Sequence, residues 1–165
     1  MPPNEKARQA ALDATGLLQP NEVPDLQDVV QLAATICRTP FAMVSLVDRD
    51  RQFFKARIGL AASETPRDVS FCGHAILSDE AMVIPDAAAD ERFIGNPLVE
   101  GPPHLRFYAG IPLIVDDELA IGTLCVGDTQ PREFDERMLD ALNRLARIAR
   151  LHIQGYLERA RAPNR

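Results

Sequence analysis

The stretch from Arg106 to Asp128 constrains this chain more than any other. Two apolar runs, Arg-Phe-Tyr-Ala-Gly-Ile-Pro-Leu-Ile-Val and Glu-Leu-Ala-Ile-Gly-Thr-Leu-Cys-Val-Gly-Asp, flank the pair Asp116-Asp117. A two-residue polar break between runs that suit a pleated surface is what a tight antiparallel turn requires, so the stretch reads as a β-hairpin. Both runs are too apolar for a solvent-exposed edge, which predicts neighbouring, antiparallel strands over Arg106–Val115 and Glu118–Val126 at the centre of a sheet. On the first strand Phe107, Ala109, Ile111, Leu113 and Val115 share a core face. The other face mixes Arg106, Tyr108, Gly110, Pro112 and Ile114, as a strand does when it also lines a cavity or passes under a loop. On the second strand Leu119, Ile121, Thr123 and Cys125 alternate with Ala120, Gly122, Leu124 and Val126, and the small Ala120 and Gly122 mark a close approach by something else.

The rest of the chain supplies partners for that hairpin. Glu5–Thr15 reads as an alanine-rich helix stopped at Gly16, and Pro20 and Pro24 punctuate a connector. Asp25 is placed to cap a second helix in which Leu26, Val29, Val30, Ala33, Ile36 and Cys37 form one apolar stripe that Pro40 ends. From Phe41 the period changes to two. Phe41–Val47 and Gln52–Ile58 bracket the polar loop Asp48–Arg51 and read as a second hairpin. Between Gly59 and Arg106 five prolines leave room only for a short helix near Phe71–Leu77 and a short strand at Met82–Ile84; an irregular segment of that length is a functional loop or a cap over a pocket. Asp135 is placed to cap the last helix, with Phe134 and Leu139 forming a hydrophobic staple. That helix carries two apolar lines. Met138, Leu142, Leu145, Ala149 and Tyr156 serve the core, while Leu139, Ala146 and Ile153 form an outer line available for a homodimer. The rival arrangement folds Glu5–Thr15 back over the outer line. Arg137, Arg144, Arg147 and Arg150 lie mainly on the polar side and read as a solvated face.

Composition excludes several classes. With 165 residues and 46% hydrophobic content the chain suits one globular domain. A net charge of −6 argues against a nucleic-acid surface. No apolar run approaches the ~18 residues of a membrane span, and the start lacks the apolar core of a signal peptide, so the expected location is cytoplasmic, away from membranes. The three cysteines, Cys37, Cys72 and Cys125, are odd in number and contain no Cys-x-x-Cys pair, which argues against a disulfide framework or zinc knuckle. Cys72 and His74 find no third ligand at a recognisable spacing in His104 or His152. Phosphate-cradling glycine loops, paired-carboxylate motifs and Ser-His-Asp signatures are lacking.

The element order predicts an α+β domain with an antiparallel sheet. In order along it stand Phe71-Cys72-Gly73-His74-Ala75-Ile76, Ile84-Pro85-Asp86, Asp90-Glu91-Arg92-Phe93, Asn96-Pro97-Leu98-Val99, Arg106-Phe107-Tyr108-Ala109-Gly110, Gly122-Thr123-Leu124-Cys125-Val126 and Pro131-Arg132. Together these resemble a GAF domain of the bacterial subgroup often fused to sensor histidine kinases and diguanylate cyclases. The resemblance implies a GAF-like central antiparallel sheet with terminal helices on one face and loops and short helices over a pocket on the other. The expected organisation is residues 1–24 as N-terminal helix and connector, 25–160 as a single GAF-like domain and 161–165 as a tail. It further implies a non-catalytic sensory or regulatory module that binds an unidentified small molecule and signals through its terminal helices. The output domain usual in that subgroup is not read in this sequence, and a separate signalling protein is expected among the candidate partners. A dimerisation or interaction module with an unused pocket is the alternative.

Any ligand is expected between the irregular segment and the sheet. The candidate pocket residues are Ser45, Phe71, Cys72, His74, Asp86, Arg106, Tyr108, Thr123 and Cys125, polar or aromatic groups on otherwise apolar strands or on the cap. Asp86, Asp90, Arg92 and Arg106 also suit a second role, stapling the irregular segment to the sheet. Metal, haem and bilin are not expected; bilin-carrying relatives usually have adjacent Cys-His, which this sequence lacks. Some GAF-fold enzymes reduce free methionine sulfoxide with clustered cysteines. Here Cys37 falls on a helix stripe and Cys125 inside a strand, leaving Cys72 alone in the loop region, so such activity is not expected.

Overall fold

The computed structural model describes residues 1–163; the expected tail at 161–165 lies partly outside the described residues. Helices α1 (Glu5–Thr15) and α2 (Pro24–Cys37) precede strands β1 (Phe41–Val47), β2 (Arg51–Ile58) and β3 (Glu64–Pro66). Short helix α3 (Phe71–Ala75), strand β4 (Met82–Ile84) and helix α4 (Pro97–Glu100) follow, with single 3-10 turns at Arg67–Val69, Ala87–Ala89 and Glu91–Phe93. Strands β5 (Phe107–Val115) and β6 (Leu119–Asp128) lead into the long helix α5 (Glu136–Arg161). The six strands form one antiparallel sheet in the order β3-β2-β1-β6-β5-β4. Among the described residues no helix is long and apolar enough to cross a membrane.

The hairpin that dominates the sequence lies inside the sheet, with β6 between β1 and β5. Its turn is closed by the Glu118 amide donating to the Val115 carbonyl at 3.2 Å, and both Asp116 (φ 50°) and Asp117 (φ 62°) are left-handed, the conformation a twist-matched hairpin turn demands. One expectation fails on β6. Ile114 pairs with Ala120 and Leu113 with Gly122, so Ile121 is an extra, unpaired residue, a β-bulge. The bulge inverts the alternation. Leu119 and Ile121 point to the helix side, and so do Leu124 and Val126, whereas Thr123 and Cys125 do not share their face as strict alternation requires; Cys125 joins the cluster on the loop side. Gly122 beside the bulge meets the backbone of β1, where an added Cβ would come within 2.0 Å of the Ser45 carbonyl oxygen. That is the close approach anticipated from its small size.

The helices cover one face of the sheet. α2 and α5 run in opposite directions: Asp25 lies 3.7 Å from His152, and at the other end the Cys37 carbonyl accepts from Arg132 at 3.1 Å. Asp25 is not the cap expected of it. Pro24 occupies the first helical position, where its missing N–H costs nothing, so Val23 becomes the capping residue without a side-chain bond. Asp135 does cap α5, its carboxylate accepting from the Met138 amide at 2.8 Å.

The outer line drawn on α5 is also corrected. Ala146 and Ile153 are buried within the chain and Leu139 is half-buried against the same core, because α1 packs on α5 and β6 and α2 packs along α5. α1 contributes Ala11 and Leu12 to that core and is pinned by Arg8, wholly buried, whose guanidinium donates to both carboxylate oxygens of Glu5 at 2.8 and 3.0 Å. Arg67, from the turn before α3, pairs with the same carboxylate. On α5 and α2 the large apolar side chains that stay in water are others: Ile148 and Leu151 on α5, Leu32 and Ile36 on α2.

Candidate functional site

The other face of the sheet is covered by the segment 59–106, and the residues of the sequence motifs explain how that segment is held. Ser70 caps α3, accepting from the Gly73 amide at 3.0 Å while donating to the Arg67 carbonyl at 2.7 Å. A Cβ on Gly73 would lie 2.6 Å from that hydroxyl, which is why the Phe-Cys-Gly-His run needs glycine third. Asn96 accepts from the Leu98 amide at 2.8 Å and donates to the Val69 carbonyl at 2.9 Å, tying α4 to the turn before α3. Arg106 donates to the carbonyls of Val99 and Leu105 at 2.8 and 3.1 Å. Asp86 accepts from the Ala88 amide, and Asp90 accepts from both the amide and the guanidinium of Arg92. These four charged residues hold loops in these contacts.

Phe71 then stacks on Phe93 with ring centroids 3.9 Å apart and meets Tyr108 at 5.3 Å. His74 stands edge-on to Phe93 at 5.0 Å, its Nδ1 3.2 Å from the Ser70 carbonyl. It faces outward, on an open groove with Arg49, Asp50, Arg67 and Asp68.

Between this aromatic floor and the sheet lies a cavity of about 200 Å³. Phe41 and Met43 of β1, Gln52 and Phe54 of β2, Leu98 of α4 and Leu105 form much of its wall, together with Phe71, Cys72 and Tyr108. Exposed Ala62 and Pro102 mark its mouth. Among the described residues no Lys, Arg, Asp, Glu or His lines it. Its one polar corner is Gln52, whose Nε2 donates to Thr65 Oγ1 at 3.0 Å while its buried Oε1 has no partner among the described residues.

Of the nine residues expected at a pocket, the structure thus places Phe71, Cys72 and Tyr108 on the cavity wall. Ser45, Thr123 and Cys125 sit buried in the sheet; His74, Asp86 and Arg106 do not line the cavity. The β1–β2 wall went unnoticed in the sequence. Its signal was there: Phe41, Met43 and Ser45 share one face of β1, and Gln52 and Phe54 share one face of β2, a lone amide among aromatics.

Directly under Cys72 is a polar knot. Cys72 Sγ accepts from Thr123 Oγ1 at 3.0 Å and lies 3.1 Å from the Tyr108 hydroxyl and 3.8 Å from Cys125 Sγ. Tyr108 is aimed there because its ring folds over Gly110, where a Cβ would fall 2.2 Å from the phenolic oxygen. Ser45 Oγ, buried alongside, lacks a partner among the described residues. Burial pushes the Cys72 thiol up, but hydrogen bonding with Cys125, Thr123 and Tyr108 outweighs it and brings the thiol down to about 7. The hydrogen bond to Cys72 and burial raise Cys125 well above the ordinary thiol range, and burial does the same to Tyr108. One sequence expectation is corrected here: Cys125 is a neighbour of Cys72 rather than an isolated core thiol, while Cys72 on the cap segment is itself buried. The bulge at Ile121 is the reason, since it sets Thr123 and Cys125 toward the loops. Cys37 stays apart in the helical layer, pushed up to about 11 by burial.

The GAF domain family model matches residues 25–153. The chain belongs to the GAF domain family. It is 42% identical over 155 residues to a cyclic di-GMP phosphodiesterase of Pseudomonas aeruginosa, a match that covers 92% of this chain and 26% of that protein. The chain thus spans about a quarter of the length of that relative. Among solved structures, the GAF domain of an Acinetobacter phosphoenolpyruvate-protein phosphotransferase superposes with a TM-score of 0.66 at 20% identity, covering 100% of this chain and 99% of that one. A free methionine-R-sulfoxide reductase of Neisseria meningitidis, in complex with its substrate, superposes at 0.63 with 21% identity, covering 93% and 89%. These likenesses show the fold.

Proposed function

We propose that this GAF domain is a non-catalytic regulatory module whose cavity takes a small, uncharged, largely aromatic or aliphatic molecule bearing one hydrogen-bond donor. The carrying observation is the cavity itself: apolar walls without a charged residue, and the buried Gln52 Oε1 left without a donor. Buried acceptors without partners cost free energy, so a ligand N–H or O–H placed there gains what the protein alone leaves unmade. A phosphorylated ligand such as a cyclic dinucleotide finds no cation on these walls. The similarity of this chain to part of a protein named a cyclic di-GMP phosphodiesterase supports the regulatory role. Native mass spectrometry of the protein isolated from its own cells tests the reading. A non-covalent adduct lost in Leu105→Trp, which fills the cavity, is expected; a chain without adduct, unchanged in mass and melting behaviour by that substitution, favours the interaction module with an unused pocket.

The output surface in this proposal is the outward face of α2 and α5, where Leu32, Ile36, Ile148 and Leu151 remain in water. Pairing of two copies across this face, or docking of a separate signalling protein on it, would cover them. Light scattering at micromolar concentration decides between the two. A dimer that dissociates in Ile148→Glu with Leu151→Glu is expected; a monomer in the parent chain removes the homodimer.

A further inference from the structure

We propose that Cys72 and Cys125 are a redox-active pair that closes into a disulfide when a peroxide enters the cavity. The inference goes beyond ligand binding and does not rest on it.

Three independent features of the knot carry it. The first is geometry. The sulfurs are 3.8 Å apart, so a bond of about 2.05 Å requires an approach of only about 1.8 Å. That movement falls on α3, a five-residue helix, because β6 is fixed by ladders to β1 and β5 on both sides. The second is access. Buried thiols are ordinarily inert because nothing reaches them. Here Cys72 is buried from bulk water yet forms part of the wall of a cavity whose mouth lies at exposed Ala62 and Pro102, and hydrogen peroxide is small enough to occupy it. The third is activation. Thr123 and Tyr108 direct hydroxyls at the Cys72 sulfur, which favours its thiolate, the nucleophilic form.

The chemistry balances with hydrogen peroxide as the two-electron oxidant. The Cys72 sulfur attacks one peroxide oxygen and the O–O bond breaks; the departing hydroxide takes up the thiol proton and leaves as water, with Cys72 as the sulfenic acid. The Cys125 sulfur then attacks the Cys72 sulfur, the S–OH bond breaks, and hydroxide leaves as a second water with the Cys125 proton. Two thiols and one peroxide become one disulfide and two waters. Closure draws the Cys72 sulfur from Tyr108 and Thr123 and fixes α3 to the sheet, so the wall of the cavity changes with oxidation state.

Cys37 is a built-in control, since it is also buried but has no second thiol beside it. The fully reduced protein is treated with a few equivalents of hydrogen peroxide under native conditions. Free thiols are then alkylated, and the peptides are mapped before and after a dithiol reductant. The expected product is a reducible Cys72–Cys125 linkage, two mass units lighter, formed at least about tenfold faster than any loss of Cys37. In Cys125→Ser a dimedone adduct is expected on Cys72; in Cys72→Ser, Cys125 stays reduced. Far-ultraviolet circular dichroism and Cys37→Ser, in which the linkage persists, guard against misfolded variants. Failure of the linkage to form, oxidation of Cys37 at the same rate, or linkage only after denaturation overturns the proposal.

Discussion

Gly122→Ala adds one methyl group at the contact between the two central strands, where the room available can be read from the structure. The new Cβ would stand 2.0 Å from the Ser45 carbonyl oxygen and 3.0 Å from Leu46 Cα, both backbone atoms. A carbon and a carbonyl oxygen in close but tolerable contact stand about 3.4 Å apart, so β1 and β6 must separate by about 1.4 Å. That gap opens at Leu46↔Gly122 and Ser45↔Thr123, the last two pairs at one end of the ladder. Losing two ladder hydrogen bonds at about 1 kcal/mol each, with overpacking strain of about 1–3 kcal/mol, gives a destabilisation of about 3–5 kcal/mol. This is a large share of the stability of an ordinary domain. Equilibrium urea unfolding followed by circular dichroism measures it, with Gly155→Ala as the opposite control. In α5 an alanine at 155 meets only the Arg159 guanidinium, at 3.4 Å, and gains helix propensity of about 1 kcal/mol. A Gly122→Ala protein within about 1 kcal/mol of the parent at unchanged denaturant slope would refute the argument that β1 and β6 meet too closely at Gly122 to admit a side chain.

Gly110→Ala displaces the Tyr108 ring and with it a hydrogen bond on Cys72, so the thiolate absorbance near 240 nm is expected to titrate at higher pH; an unchanged titration removes Tyr108 from the activation of that sulfur. Burial raises the Glu5 carboxyl, but hydrogen bonds from Arg8 and Arg67 outweigh it and hold the group at about 2 against an ordinary 4.5. Its contribution is therefore present above pH 4.5 and lost as pH falls toward 2, so Glu5→Gln is expected to lower the urea midpoint at pH 7 and to converge with the parent near pH 2; equal midpoints at pH 7 sink this. Free methionine sulfoxide carries an ammonium and a carboxylate, and the cavity wall offers neither a counter-charge. No turnover is expected in an assay with thiol reductant, and activity above background that vanishes in Cys72→Ser overturns that expectation.

The hairpins, the short strand Met82–Ile84 and the long helix were legible because each is a periodic run with turn chemistry at its ends. Thr123 and Cys125 were read toward the pocket from their polar character among apolar neighbours, but the alternation that turns them there was not legible. A bulge shifts parity by one residue, and nothing in Leu-Ala-Ile-Gly-Thr-Leu-Cys marks Ile121 as the unpaired position except the neighbouring Gly122. Cys72 and Cys125 both stood among the expected pocket residues, but their direct contact, across 53 residues of sequence, is set by that parity. On α5, apolar periodicity says that a helix face is covered but not by what, so a second copy and α1 both stood open as the cover of the outer line; α1 and α2 pack on α5. Asp86, Asp90 and Arg106 show another limit: their residue types suit a ligand contact and a loop fastener equally, and only the partners of their side chains show the loop contacts they make.

The ion cluster of Glu5, Arg8 and Arg67 bears on where this domain can be cut. The family resemblance begins at residue 25, a natural place to start a shorter fragment for expression. Such a fragment loses the helix that carries Arg8, Ala11 and Leu12 into the core, and it takes from Arg67 its carboxylate partner just ahead of the Ser70 cap and Cys72. The apolar surface of α5 and β6 under α1 would then face water, and a soluble, cleanly folding fragment is to be sought from residue 2 or 3 onward. Sequence conservation of a family and autonomy of folding draw different borders on the same chain.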